Sequence, residues 1–116
     1  MAVSRVVLSG STDGVPVVVA GTAIGAATTV HTAHATSMDE IWLWVVNTDS
    51  TARSLSLTEG GDVDPTNLIL DAFSIPANGQ LLIILPGVTL TNSKVLKAFA
   101  SAASVLNVVG HVNRIS

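Results

Sequence analysis

The alternation of side chains in residues 39–47 is the strongest structural signal in the chain. Asp39 and Glu40 precede six apolar residues, and polar residues follow from position 47. Six residues are too few for a buried helix, and this run is rich in aromatic and β-branched types, so the pattern predicts a β-strand. Trp42 and Trp44 share one face of that strand, and residues 41, 43 and 45 share the other. Because both faces are apolar, we expect one in the core and one beneath a second layer or another protein chain.

Short strands are predicted along the rest of the chain, at residues 5–8, 16–19, 27–33, 53–58, 68–75, 81–85, 94–100 and 105–115. Leu55 and Leu57 alternate with serines, so they are expected to point inward. Residues 47–51 are rich in turn formers, which predicts an antiparallel hairpin between strands 41–46 and 53–58. Pro86 and Gly87 are expected to end the strand 81–85. Alanine content alone would allow a helix over 96–106, but propensity is a weak guide and we favour the strand.

The spacing of these strands indicates the fold class. About eight short strands are separated by turn signals, and no segment has a convincing helical period. The 116 residues have the size of one domain. The sequence therefore predicts an all-β protein, a single β-sandwich of jelly-roll type with about eight antiparallel strands over residues 1–116.

Composition narrows the possible partners. Hydrophobic residues make up 48% of the chain and charged residues only 11%, which suits a subunit whose surfaces are covered in an assembly. The net charge is −3 and the five Lys and Arg residues are scattered, so we expect no nucleic-acid partner. No signal peptide and no run of membrane-spanning length is seen, so we expect no membrane partner and synthesis in a cytoplasm.

The histidines and acidic residues are the candidate metal ligands of this chain. His31 and His34 would face opposite sides of an extended strand, and a metal site would need His111 or Asp39 to be brought to them by the fold or by subunit symmetry. The acidic pair Asp62 and Asp64, close to Asn67, resembles only a fragment of a calcium loop. A solvated turn is the preferred interpretation there. We therefore expect no bound metal and no cofactor.

Catalytic motifs are also missing from the sequence. There is no cysteine nucleophile, no Gly-x-Ser-x-Gly elbow and no phosphate-binding loop. The adjacent carboxylates Asp39 and Glu40 would face opposite ways on a strand, which is a poor arrangement for acid–base catalysis. The chain is therefore expected not to be an enzyme.

Short stretches throughout the chain resemble small virion structural proteins of tailed bacteriophages. These stretches are RVVLSGSTDG (5–14), TVHTA (29–33), DEIWL (39–43), VNT (46–48), EGG (59–61), IPAN (75–78) and KAFA (97–100). The resemblance covers most of the chain and lies in strand and turn residues. It implies a compact β-sandwich located on the virion, on the capsid surface rather than the tail.

Together these observations predict a capsid decoration or cement protein that binds the major capsid protein and forms a small homo-oligomer, a trimer. The contact residues we expect are Arg5, Trp42, Trp44, Leu82 and Ile84. These assignments rest on packing, and the same side chains could equally belong to the core of the domain. A tail, neck or fibre component is an alternative. A carbohydrate-binding module that uses the tryptophans for host attachment is an alternative of another class.

Overall fold

The computed structural model describes residues 2–116, which form two antiparallel β-sheets packed face to face. Sheet A has the strand order β1-β9-β4-β7, with β2 also paired to β9, and sheet B has the order β3-β8-β5-β6. The strands are β1 (Val3–Val7), β2 (Val17–Val18), β3 (Thr28–Thr32), β4 (Met38–Asn47), β5 (Arg53–Glu59), β6 (Leu68–Ile75), β7 (Leu82–Leu90), β8 (Val95–Ala100) and β9 (Leu106–Ile115), with a short 3-10 helix at Ile24–Ala26. The predicted β-sandwich is therefore confirmed, with nine strands.

The strand pairs are nested inside one another. The β5–β6 hairpin is innermost, β4 pairs with β7, β3 pairs with β8, and β1 pairs with β9. Successive pairs alternate between the two sheets, and the β4–β9 and β5–β8 pairings join them within each sheet. This rolled-up hairpin is the connectivity of a jelly roll, as the sequence predicted.

The predicted hairpin between residues 41–46 and 53–58 is wrong. β4 lies in sheet A between β9 and β7, whereas β5 lies in sheet B between β8 and β6. Residues 48–52 therefore carry the chain from one layer to the other. Turn-forming residues show that the chain reverses, but they do not show whether it stays in the same sheet.

β7 continues beyond the point where the sequence predicted its end. Gly87 has a φ of 85° and forms a bulge between the paired residues Ile41–Val88 and Trp42–Pro86. An edge strand tolerates both a bulge and a proline, because one side of its backbone has no partner strand. β7 is the edge of sheet A, so it can pass through Pro86 and reach Leu90.

The core lies between the two sheets. The inward residues Ile41, Leu43 and Val45 of β4 face Leu55 and Leu57 of β5, and all five are fully buried. β9 contributes the predicted core residues Leu106, Val108 and Val112. Residues 95–100 form strand β8 with Leu96 and Ala98 buried, which confirms the strand interpretation over the helix.

Candidate assembly site on the outer face of sheet A

The outer face of sheet A consists of the side chains of that sheet that point away from the core. Trp42 and Trp44 lie on this face and are half-buried. β9 places His111 directly opposite Trp42. The ring centroids of Trp42 and His111 are 6.4 Å apart with planes inclined by 12°, and those of Trp44 and His111 are 5.8 Å apart at 32°. The three rings therefore form one aromatic cluster across β4 and β9.

Gly87 allows the Trp42 ring to lie close to β7. A Cβ atom at position 87 would be 3.0 Å from Cζ2 of Trp42, closer than side chains normally pack. The indole thus occupies the space that a side chain at position 87 would fill. Glycine here serves both the bulge and the aromatic cluster, whereas the sequence pattern suggested only a strand end.

A row of polar side chains borders the aromatic cluster. Arg5 Nε donates to Asn113 Oδ1 at 3.3 Å, and Asn113 Nδ2 donates to Glu40 Oε1 at 3.1 Å. The same oxygen accepts from Trp42 Nε1 at 2.8 Å. These bonds, first from Trp42 and then from Asn113, lower the pKa of Glu40. The row therefore holds one carboxylate and one guanidinium in fixed positions.

The surroundings of His111 favour the uncharged form of its ring. Burial lowers its pKa, and the positive charge of Arg5 lowers that pKa further, while Glu40 acts in the opposite direction. Arg5 and Glu40 are then the charged groups on the outer face of sheet A, and they have opposite signs. The face is nearly neutral as a whole.

Apolar side chains surround the aromatic cluster on the same face. Their placement follows from the strand register, which sets them on the side of Trp42, Trp44 and His111. Five of them are strongly exposed: Val3 (60%), Val7 (50%), Val18 (45%), Met38 (43%) and Ile83 (50%). The outer face of sheet A thus carries exposed apolar side chains in four of its strands, β1, β2, β4 and β7.

The predicted contact residues divide into two groups. Arg5, Trp42 and Trp44 lie together on the outer face of sheet A. Leu82 and Ile84 are partly buried and pack against the core. Next to them, Ile83 points outward and is exposed, so the contribution of β7 to the outer face comes from the intervening residue.

A buried charged cluster, which the sequence analysis missed, lies at the end of the sandwich where β4 begins. Asp39 is fully buried and accepts two bonds from Arg114, at 2.8 Å from Nε and 3.0 Å from Nη2. His31 Nδ1 accepts from the Ser9 N–H, so its Nε2 carries the proton and donates to Asp39 Oδ2 at 2.8 Å. Burial raises the pKa of Asp39, but the bonds from Arg114, His31 and the His34 backbone outweigh it and lower the pKa to about 2.

This cluster joins the two sheets, because His31 lies on β3 and Asp39 on β4. The fold does bring Asp39 to His31, but the Arg114 guanidinium takes the position that a cation would need. Within residues 2–116 no three His, Cys, Asp or Glu side chains are grouped as a metal site. Ser9 contacts His31 through its main-chain N–H, and its Oγ accepts from the Thr32 N–H at 2.6 Å, so the group is not arranged as a nucleophile and base.

The acidic loop between β5 and β6 is held by an asparagine. Asn67 Oδ1 accepts from the Val63 N–H at 3.0 Å, and Asn67 Nδ2 donates to the Glu59 carbonyl at 3.1 Å. Asp62 Oδ1 lies 3.6 Å from Lys97 Nζ. The amide oxygen is thus already used within the loop and one carboxylate faces a lysine, as in a solvated turn.

The cleft beside this loop has a volume of about 160 Å³ and is lined by residues 60–62, 93–95 and 97. It is smaller than a usual small-molecule pocket of roughly 300 Å³ or more.

Across the described residues, no helix has the length and apolar character to cross a bilayer. Comparison with protein-family models, curated proteins and solved structures found no match to this chain.

Proposed function

We propose that this chain is a structural subunit of a bacteriophage virion, and specifically a decoration or cement protein that binds and stabilises the head shell. The observation that carries the proposal is the outer face of sheet A, where two half-buried tryptophans lie among exposed apolar side chains and no layer of residues 2–116 covers them. The small number of charged residues fits such a role. The stretches that resemble virion structural proteins are the reason for proposing a bacteriophage protein.

A cement protein acts through selective binding. It binds the assembled lattice and not the broken one, so each bound copy shifts the equilibrium towards the intact shell. A contact of roughly 800 Å² per partner is a normal size, and repetition over many lattice sites multiplies the effect through avidity. Apolar burial supplies the free energy of this contact. Arg5 lies on the exposed edge strand β1 and adds a charged contact for the major capsid protein.

Two alternatives use the same surface. A tail, neck or fibre subunit would pack through the same apolar face at another place on the virion. The jelly roll occurs in viral capsid proteins and in lectins, and Glu40 and Asn113 beside Trp42 are the acidic and planar groups that sugar sites use. The half-buried state of both indoles, packed against His111 and Gly87, favours protein packing over sugar stacking.

Light scattering and co-sedimentation test the proposal. The mass of the purified protein is measured first, and the same preparation is then sedimented with emptied phage heads. We expect a stable homo-oligomer, a trimer, that saturates the heads at one per local lattice axis. Arg5→Glu should weaken head binding, whereas Val15→Lys, in an exposed loop outside sheet A, should leave it unchanged.

A monomer that stays in the supernatant would contradict the decoration role. Binding to purified tails but not to heads would favour the tail component. Quenching of tryptophan fluorescence by oligosaccharides, at concentrations that leave Trp44→Phe unaffected, would favour the carbohydrate module.

A further inference from the structure

Two of the four sheet edges are irregular. β1 and β7 bound sheet A, and β3 and β6 bound sheet B. The register of β7 against β4 shifts twice, and Pro86 in β7 lacks an N–H. The register of β6 against β5 also shifts twice, and Ala72 in β6 has a φ of 49°. Bulges and prolines of this kind interrupt the addition of a further strand at a sheet edge.

A third edge, β3, is covered by the segment that follows β1. The Gly10 N–H donates to the Val30 carbonyl at 2.9 Å, and the Thr32 N–H donates to Ser9 Oγ at 2.6 Å. A Cβ atom at position 10 would lie 2.6 Å from the Val30 oxygen, so the close approach requires glycine. The chain itself therefore occupies the place of a neighbouring strand beside β3.

The fourth edge, β1, remains regular. Its register with β9 runs from Val3 to Val7 without a shift. Just before β1, Ala2 and Ser116 exchange two main-chain hydrogen bonds, at 3.3 Å and 2.9 Å. Bonded and non-bonded pairs alternate along an antiparallel ladder, so the N–H and C=O groups of Val3, Arg5 and Val7 point away from β9. Within residues 2–116, no strand pairs with that side of β1.

The side chains of β1 add a preference for charge. Arg5 lies between Val3 and Val7 on the outer face of sheet A, and both valines are at least half exposed. Arg5 Nε donates to Asn113, and its two Nη groups have no partner among the described residues. A residue of an added strand directly opposite Arg5 would lie on the same face, about 5.5 Å away between Cα atoms. A carboxylate there can bind the guanidinium, whereas a like charge is unfavourable.

We propose that β1 is a docking edge, to which an extended segment of the major capsid protein adds as a further strand of sheet A. That segment carries an acidic residue opposite Arg5 and apolar residues opposite Val3 and Val7. Main-chain bonds supply affinity in such a contact, and alternate side chains supply specificity. This inference rests on the proposed function and deepens it, because it identifies the chemistry of the partner segment. The added strand leaves the outer face of sheet A open to the rest of the shell.

A second copy of the chain is a poorer occupant of this edge. Two β1 strands that meet antiparallel with Val3 opposite Val7 would place their Arg5 residues directly opposite each other, which is unfavourable. A shift of one strand by two residues separates the arginines but shortens the overlap. A two-fold contact of this kind also does not produce the expected trimer.

Two substitutions at position 3 separate main-chain docking from side-chain packing. Val3→Pro and Val3→Ala both remove the exposed valine side chain, but proline also removes the N–H that points away from β9. The bonds to β9 are kept and the first residue of an edge strand tolerates proline, so both variants should fold, which circular dichroism checks. In co-sedimentation with emptied phage heads, Val3→Pro should bind at least about tenfold more weakly than Val3→Ala, because a partner carbonyl is left unpaired.

Arg5→Gln tests the acidic residue of the partner segment. This variant keeps the main-chain N–H and loses the charge. Its binding to the same heads should be weaker than that of the wild type and should lose most of its dependence on salt concentration, because salt screens the attraction between exposed charges. A salt dependence equal to that of the wild type would exclude an acidic residue opposite Arg5.

Hydrogen exchange of the wild-type protein gives a second readout. The amides of Val3, Arg5 and Val7 should exchange rapidly in the free protein and slowly in the head-bound protein. Rapid exchange in both states would overturn the proposal, and so would equal head binding by Val3→Pro and Val3→Ala.

The remaining outcomes distinguish the docking edge from the decoration role. Light scattering should give Val3→Pro the mass of the wild-type oligomer. A lower mass would assign the edge to a second copy and contradict the proposal. Wild-type protein that binds heads while the two position 3 variants bind equally would refute the docking edge alone. Wild-type protein that ignores heads would refute the decoration role and the docking edge together.

Discussion

The buried cluster around Asp39 predicts a specific loss of stability in acid. Its pKa falls from the ordinary value of 3.8 to about 2 in the folded chain. Each pKa unit corresponds to about 1.4 kcal/mol, so the ionised carboxylate contributes about 2 kcal/mol to folding at pH 7. Because the folded pKa lies below the unfolded pKa, this contribution is fully present above about pH 5 and is lost as the pH falls towards 2.

Urea unfolding followed by tryptophan fluorescence measures this effect. The free energy of unfolding is determined between pH 7 and pH 2 for the wild type and for Asp39→Asn, which cannot ionise. We expect the difference between the two proteins to shrink by about 2 kcal/mol over this range. Glu40, Asp49 and Glu59 also have shifted pKa values, but they titrate in both proteins and cancel in the difference. A difference that stays constant with pH would refute the reasoning.

Three further predictions concern other parts of the sandwich. Gly110→Ala should destabilise the fold by about 3 kcal/mol or more, because its Cβ would collide with the main-chain oxygen of Trp42; an unchanged melting temperature would contradict this. Asn67→Ala should cost about 1–2 kcal/mol and speed proteolysis near Val63, since the loop loses its side-chain bonds; unchanged cleavage would count against it. Trp42→Phe should raise the pKa of Glu40, measured by NMR titration, because its main hydrogen bond is lost; an unmoved titration would disprove that cause.

Local patterns predicted the strands and their faces well. The alternation around Trp42 and Trp44 correctly separated the buried side of β4 from its outer side, because a strand repeats every two residues whatever its partners are. The same rule placed Leu55 and Leu57 in the core. The turn residues after β4 could not predict the change of layer, because crossing between sheets depends on which strands are packed together.

Contacts between residues that are far apart in the chain could not be predicted from the sequence alone. Asp39 and Arg114 are 75 positions apart, and the register of β4 with β9 sets them opposite each other. Nothing in the local pattern distinguishes this fully buried aspartate from its half-buried neighbour Glu40. His111 likewise joins the tryptophans only through that register. The spacing of acidic and aromatic residues showed which faces they occupy but not which side chains they meet.

The central position of β9 determines when this protein can fold during its synthesis. β9 follows all the other described strands in the chain, yet it pairs with β1, β2 and β4 and so holds most of sheet A together. While β9 is still inside the ribosome, β1 and β2 have no partner strand, whereas the β5–β6 hairpin and the β4–β7 pair can already form. Stop codons that remove β9 should therefore leave an aggregation-prone nascent chain rather than a smaller folded protein.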